Sequence, residues 1–152
     1  MSPSKIRLKT VAARAELIRE MLAAIETLPL GSEAELSADP RMMAAGESFL
    51  RRSLEGLLDL GRHVLSKGFG KVVPDYASVA DELAAHGALP LETAAQLRLM
   101  ARYRNRMVHF YDEILPGELY GILARQRGDV EEVLATIQRW LAAHPEICDD
   151  EL

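Results

Sequence analysis

One cysteine, Cys148, stands near the end of a chain of 152 residues. A lone cysteine closes no internal disulfide and builds no cysteine-rich zinc module. Aromatic residues are few as well, one Trp, four Tyr and three Phe, too few for the broad stacking platforms that hold single-stranded nucleic acid. Positive charge is in the minority. With 18 Lys and Arg against 23 Asp and Glu, the net charge is −5, so any contact with a polyanion has to come from a local basic patch. Long apolar runs are missing as well. The opening residues up to Lys9 are basic, as in a leader, but Arg14, Glu16, Arg19 and Glu20 interrupt the next stretch of chain. No window approaches the roughly 20 apolar residues of a membrane span. These absences argue against a stapled secreted scaffold, and the expected location is the cytoplasm.

What is present is helical periodicity. Apolar residues make up 49% of the chain and charged residues 27%, the balance of a globular protein of one domain. From Ile6 to Leu28 the apolar positions recur mostly at steps of three and four, which predicts a first amphipathic helix ended by Pro29, Gly31 and Ser32. Asp39-Pro40 reads as an N-cap and first-turn proline opening a long second helix that stops at Gly68 and Gly70. The internal Gly56 and Gly61 each cost that helix about 1 kcal/mol against alanine, so they point to close packing. Val72-Val73-Pro74 predicts an extended linker, because the residue before proline avoids the helical region. A short helix is expected from about Asp75 to His86, then one opened by Pro90 and running to roughly Tyr111. Pro116-Gly117 reads as a break, with a short helix after it from Glu118 to about Gln126. Asp129 with Glu132 resembles a capping box starting the last helix, which ends near His144-Pro145. The acidic tail from about residue 146 is expected to fray. The fold expected is therefore all-α, a single antiparallel helical bundle over residues 1–152.

The familiar catalytic patterns are absent from the sequence. It has no glycine-rich phosphate loop, no His-Glu-x-x-His and no paired Glu-x-x-His, and the histidines at 63, 86, 109 and 144 share no metal spacing. No metal and no cofactor are expected. The densest chemistry lies between Arg98 and Glu113. At about 100° per residue, Arg102, Asn105, His109 and Asp112 share one stripe, and Arg104 lies nearly in line with Tyr111. Arg104 and His109 differ by about 140°, an arc that a long arginine spans, so both heads can face one cleft. A patch of this kind suits a phosphate, yet a basic stripe is also what a solvated helix face looks like. A helical histidine is often a packing or capping residue, and Tyr111 can plug a core edge. The residues alone leave both readings open.

The segment Arg104-Asn-Arg-Met-Val-His109-Phe-Tyr111 resembles the R-x4-H-x-Y signature of HepT-like proteins in the HEPN superfamily. Asp59-Leu-Gly-Arg-His63-Val-Leu is similar to the family's second helix, and Pro74 through Gly87-Ala-Leu to its proline-led segment, so the likeness spans roughly residues 45–135. The resemblance implies a metal-independent endoribonuclease, the toxin of a toxin–antitoxin pair. It implies a homodimer with the two signature helices across a cleft, and an antitoxin that is a minimal nucleotidyltransferase adding AMP to Tyr111. In that scheme RNA is the substrate, its 2′-hydroxyl the nucleophile, His109 the proton-transfer group and Arg104 the phosphate-binding cation. Asn105 orients either of these. Asp59 is a supporting residue, expected to face His63 one turn on as a polar wall of the cleft, or else only to make a local surface hydrogen bond. Arg102 and Arg106 contribute field. The rival expectations are a non-catalytic helical partner or regulatory subunit of a nucleotidyltransferase, and a dimeric bundle without activity.

Overall fold

The computed structural model describes residues 3–109 and 114–150. Its elements, in chain order, are α1 (Leu8–Glu26), α2 (Glu33–Ser37), α3 (Pro40–Phe69), α4 (Val79–Ala85), α5 (Leu91–Val108), α6 (Pro116–Gly121) and α7 (Arg127–Ala143). No strand of a sheet occurs among the described residues, only one isolated bridge between Ile6 and Cys148.

The spine is α3. Its start agrees with the sequence reading, since Asp39 is extended, its carboxylate accepts from the Arg41 N–H, and Pro40 occupies the first turn. Its end is set by Gly70, whose φ of 65° is the left-handed conformation that lets the Gly70 and Lys71 amides reach the Ser66 and Leu65 carbonyls. α1 runs antiparallel along it. Ile6 meets Gly68, Arg14 meets Asp59 and Ile18 meets Gly56, in descending order along α3. Val11, Ala15, Ile18, Leu22 and Ile25 form the buried stripe of α1, against Leu50, Leu54, Leu57, Leu58 and Leu65 of α3 and the Val130–Leu141 face of α7 in one core. Each buried Val, Leu or Ile among them contributes about 1.5–3 kcal/mol relative to exposure.

The ends of the chain correct the reading from sequence. The acidic tail is not frayed over its described part. The Asp149 carboxylate accepts from the Leu8 N–H at 3.0 Å, its own N–H donates to the Ile6 carbonyl, and Cys148 is buried. A carboxylate at the start of α1 satisfies one of the helix's orphan amides and meets the positive end of its dipole, which is what holds the tail.

Two more corrections concern helix boundaries. Pro116 does not break the chain but begins α6, at the one position where a missing N–H costs nothing. From there the backbone stays helical to Ala143, passing through a π-helical turn at Ile122–Gln126. Asp129 is therefore no cap. It sits in the first turn of α7, preceded by Gln126, Arg127 and Gly128 in helical conformation, whereas a capping box needs an extended N-cap. The five-residue α2 was not foreseen; Ser32 caps it by accepting from the Glu35 N–H.

Candidate active site

α5 carries Arg104 and Asn105 of the signature, and it packs antiparallel to α3. Ala94, Leu97, Met100 and Ala101 form its buried stripe, which turns Arg104 and Asn105 toward the α3 side and leaves Arg102 exposed. The helix ends at Val108, short of the Tyr111 expected from the sequence. His109 is its C-cap, with extended backbone (φ −111°, ψ 114°), so His109 does not continue the stripe of Arg102 and Asn105. The physical reason is local: Val, His, Phe and Tyr succeed one another here, all of below-average helix propensity. Tyr111 and Asp112 lie outside the described residues.

Arg104 is three-quarters enclosed. Its Nη1 donates to the Asn105 side-chain oxygen at 3.3 Å, and its Nε lies 3.5 Å from a carboxylate oxygen of Glu55 in an ion pair, buried and without a hydrogen bond of good geometry. The same Glu55 oxygen accepts from Arg51 at 3.0 Å. The guanidinium also covers the ring of Tyr76, 4.7 Å from its centroid. Asn105 is thus the hydrogen-bond neighbour of Arg104 within the helix.

Asp59 and His63 do not face each other. Asp59 accepts the Tyr76 hydroxyl at 2.6 Å and is approached by Arg14 and Arg62 at 3.6 and 3.8 Å. His63 turns to α1 and accepts the Arg7 N–H through Nε2 at 3.1 Å. Burial, the hydrogen bond from the phenol to Asp59 and that residue's charge push the Tyr76 phenol above its ordinary range. Burial, then the charges of Lys67, Arg14 and Arg7, push His63 down. Asp59 is therefore linked to Arg104 through Tyr76 rather than through His63, and it does not line the cleft of His109.

His109 is exposed and lines a cleft with Met43 and Glu47 of α3 and with Ile114, Pro116 and Leu119 at the start of α6. Arg104 is not among its walls. Within one chain the pair therefore leans on two levels of α3, Glu55 and Glu47, about 12 Å apart along that helix. Arg106 lines the same cleft as His109. It clamps the Glu118 carboxylate at 2.6 and 2.8 Å, a two-pronged contact that ties α5 to α6 and keeps the Glu118 carboxyl below its usual range. Glu55, Arg62 and Tyr76 escaped the sequence reading. Glu55 was signalled by its four-residue spacing from Asp59 on α3, but nothing in the periodicity marks Tyr76, which sits in the connection between α3 and α4.

This arrangement is of a known kind: an all-α bundle with an arginine and a histidine at the end of one helix. Residues 16–137 match the family model described as Ribonuclease HepT-like, and the chain belongs to that family. No curated protein matches the sequence. Among solved structures, it is similar to a chain of a toxin–antitoxin crystallised with AMP-PNP (TM-score 0.77, 16% identity, 86% of this chain and 98% of that one). It is also similar to a chain of a complex of a tri-AMPylated Shewanella oneidensis HEPN toxin with MNT antitoxin (TM-score 0.78, 17% identity, 86% and 97%). A third, YutE from Bacillus subtilis, described as a cytosolic protein of unknown function, matches with TM-score 0.74 and 17% identity over 94% of both chains. At such identities the likeness is one of fold.

Proposed function

We propose that the protein is a metal-independent endoribonuclease and the toxin of a toxin–antitoxin pair. The observation that carries this reading is the complete Arg104-x4-His109-x-Tyr111 signature in the sequence, inside the span matched by the family model, with Arg104 on α5 and His109 at its C-cap. The 2′-hydroxyl of the substrate attacks its own phosphorus, the bond to the 5′-oxygen breaks, and a 2′,3′-cyclic phosphate is left. His109 serves the proton transfers, for which an imidazole can both accept and donate, and its exposure gives substrate access to it. Arg104 offers a planar fork to the charge developing on the phosphate oxygens, with Asn105 holding one arm. Asp59 supports the site through Tyr76. The active form is a homodimer, RNA is its substrate, and a nucleotidyltransferase antitoxin silences it by adding AMP at Tyr111. The tri-AMPylated toxin among the similar folds supports this last step. An added nucleotide two residues beyond His109 brings negative charge to the place where RNA must lie.

Expression of the protein alone, with and without His109→Ala, tests the reading, scored by growth and RNA integrity. Purified protein should cut RNA in EDTA, leave cyclic phosphate ends and spare a substrate that is 2′-deoxy at the scissile position. His109→Ala should lower the rate by about 10²–10⁴-fold and Arg104→Ala by about 10²–10³-fold. Arg104→Lys should restore only part, since lysine keeps the charge without the fork. Co-expression with the nucleotidyltransferase should add AMP mass to the peptide holding Tyr111. Equal toxicity of His109→Ala, or cleavage of the deoxy substrate, overturns the mechanism. Inert wild-type protein that still binds the nucleotidyltransferase favours the non-catalytic partner instead.

A further inference from the structure

Two guanidiniums share the ring of Tyr76. Arg104 of α5 lies 4.7 Å from its centroid and Arg62 of α3 5.2 Å. The phenol is itself fixed, because its hydroxyl donates to Asp59 at 2.6 Å. We propose that Arg62 is a second phosphate-binding arginine, set beside Arg104 by the Tyr76 ring, and that the two together take the backbone of one RNA strand. This rests on the proposed ribonuclease function and extends it from the reacting phosphate to a neighbouring one.

Arg62 is poorly explained as a structural ion pair. Its distance to Asp59 is 3.8 Å, its side chain is 39% exposed, and the Asp59 oxygen concerned already holds the Tyr76 hydroxyl. The other carboxylate in reach, Asp75, accepts from the Ser78 N–H at 2.8 Å. A stacked guanidinium keeps its plane fixed while its edge N–H groups stay available, which is the geometry that two-pronged phosphate recognition needs. Around the ring Arg14, Arg51, Arg62 and Arg104 stand against the carboxylates of Glu55, Asp59 and Asp75. Arg14 reaches the same Asp59 from α1, and His63, one residue beyond Arg62, is held toward its neutral form by burial and by Lys67, Arg14 and Arg7. Two arginines on one ring lie close enough to serve the same strand, and the ring fixes their spacing before any ligand arrives.

The test uses a fluorescent 2′-O-methyl RNA oligonucleotide, which binds but lacks the attacking hydroxyl, titrated over a range of salt. Arg62→Ala should weaken binding about tenfold, the usual value of one charge-assisted contact. It should also lower the salt slope by about 0.7, as loss of one phosphate contact on a single strand does. Arg62→Gln should do the same, with circular dichroism showing an intact bundle for both variants. Tyr76→Leu should weaken binding by releasing both arginines. Arg139→Ala, at an exposed position on α7, should match wild type. If Arg62→Ala and Arg62→Gln match Arg139→Ala in affinity and slope while wild type binds and cleaves RNA, this proposal is wrong and the ribonuclease reading stands. Wild-type protein that neither binds nor cleaves RNA removes both.

Discussion

Protonating His63 breaks a hydrogen bond at the start of α1, because Nε2 can accept the Arg7 N–H only in the neutral ring. The fold favours that neutral form, through burial first and then the positive charges of Lys67, Arg14 and Arg7. The histidine pKa in the folded protein is thus below its unfolded value near 6.5. Between the two values the unfolded chain binds more protons, so stability rises with pH there. The contribution is complete above about pH 6.5, shrinks as pH falls from there, and is gone below the folded pKa. His63→Gln retains an acceptor without a titration. Thermal melts at pH 7.5 and 5.5 should therefore show a smaller acid-side drop for His63→Gln than for wild type, and equal drops would refute the assignment. The same residue shows how far single positions are legible in a sequence. The four-residue spacing of Asp59 and His63 correctly placed both on one helix face, but spacing along one helix says nothing of what the next helix offers. α1 brought the Arg7 amide to His63 and the Arg14 guanidinium to Asp59, and the α3–α4 connection brought Tyr76.

At the scale of elements, the glycines of α3 are the strongest sequence signal that the structure explains. A Cβ on Gly61 would lie 2.6 Å from Val79 Cγ1 and 3.1 Å from Leu83 Cδ1, so the glycine is where α4 crosses α3. Val79 is β-branched and cannot rotate away cheaply. Gly61→Ala gains about 1 kcal/mol of helix propensity but loses roughly 1–3 kcal/mol to overpacking, and urea unfolding should show a net loss. Gly128 in α7 is the control, since nothing lies within 4 Å of its added Cβ; Gly128→Ala should stabilise by roughly 0.5–1 kcal/mol. Stabilisation by Gly61→Ala would mean that the α3–α4 crossing is looser than this geometry. Boundaries signalled by proline and glycine were legible for the same reason: Pro40 and Gly70 each act through backbone geometry that needs no tertiary partner. Where partners decide, the sequence misled. Asp129 with Glu132 three residues on has the letters of a cap, but α6 enters α7 without leaving helical conformation. The end of α5 at Val108 likewise moved His109 off the face that periodicity had assigned to it.

For the molecule as a whole, the catalytic reading sets a requirement that one chain meets only in part. The protein carries a net charge of −5, and its Arg104 and His109 lean on different levels of α3, with Arg104 partly engaged by Glu55 and the His109 cleft walled by Glu47. A phosphodiester needs a cation and a proton-transfer group at the same phosphorus, within hydrogen-bond reach of it. Two copies meeting along their signature helices would double the arginines around one cleft and let a histidine from one copy serve a phosphate held by the other. On α5, Leu91 and Leu99 are exposed (83 and 38%) about 80° apart, a side that such a meeting would cover, whereas Val108 lies opposite Leu99 and Val72 and Leu115 are exposed outside the helix. Light scattering at micromolar concentration should therefore give about twice the 16.8 kDa of one chain. Leu99→Glu should shift that mass toward the monomer, because a charge desolvated without a partner at such a seam is costly, while leaving helix content intact. It should lower cleavage in the same proportion as it lowers the dimer fraction. A monomeric wild type that still cleaves RNA would show that one chain rearranges to bring its own Arg104 and His109 together, and the two-copy site would have to be abandoned.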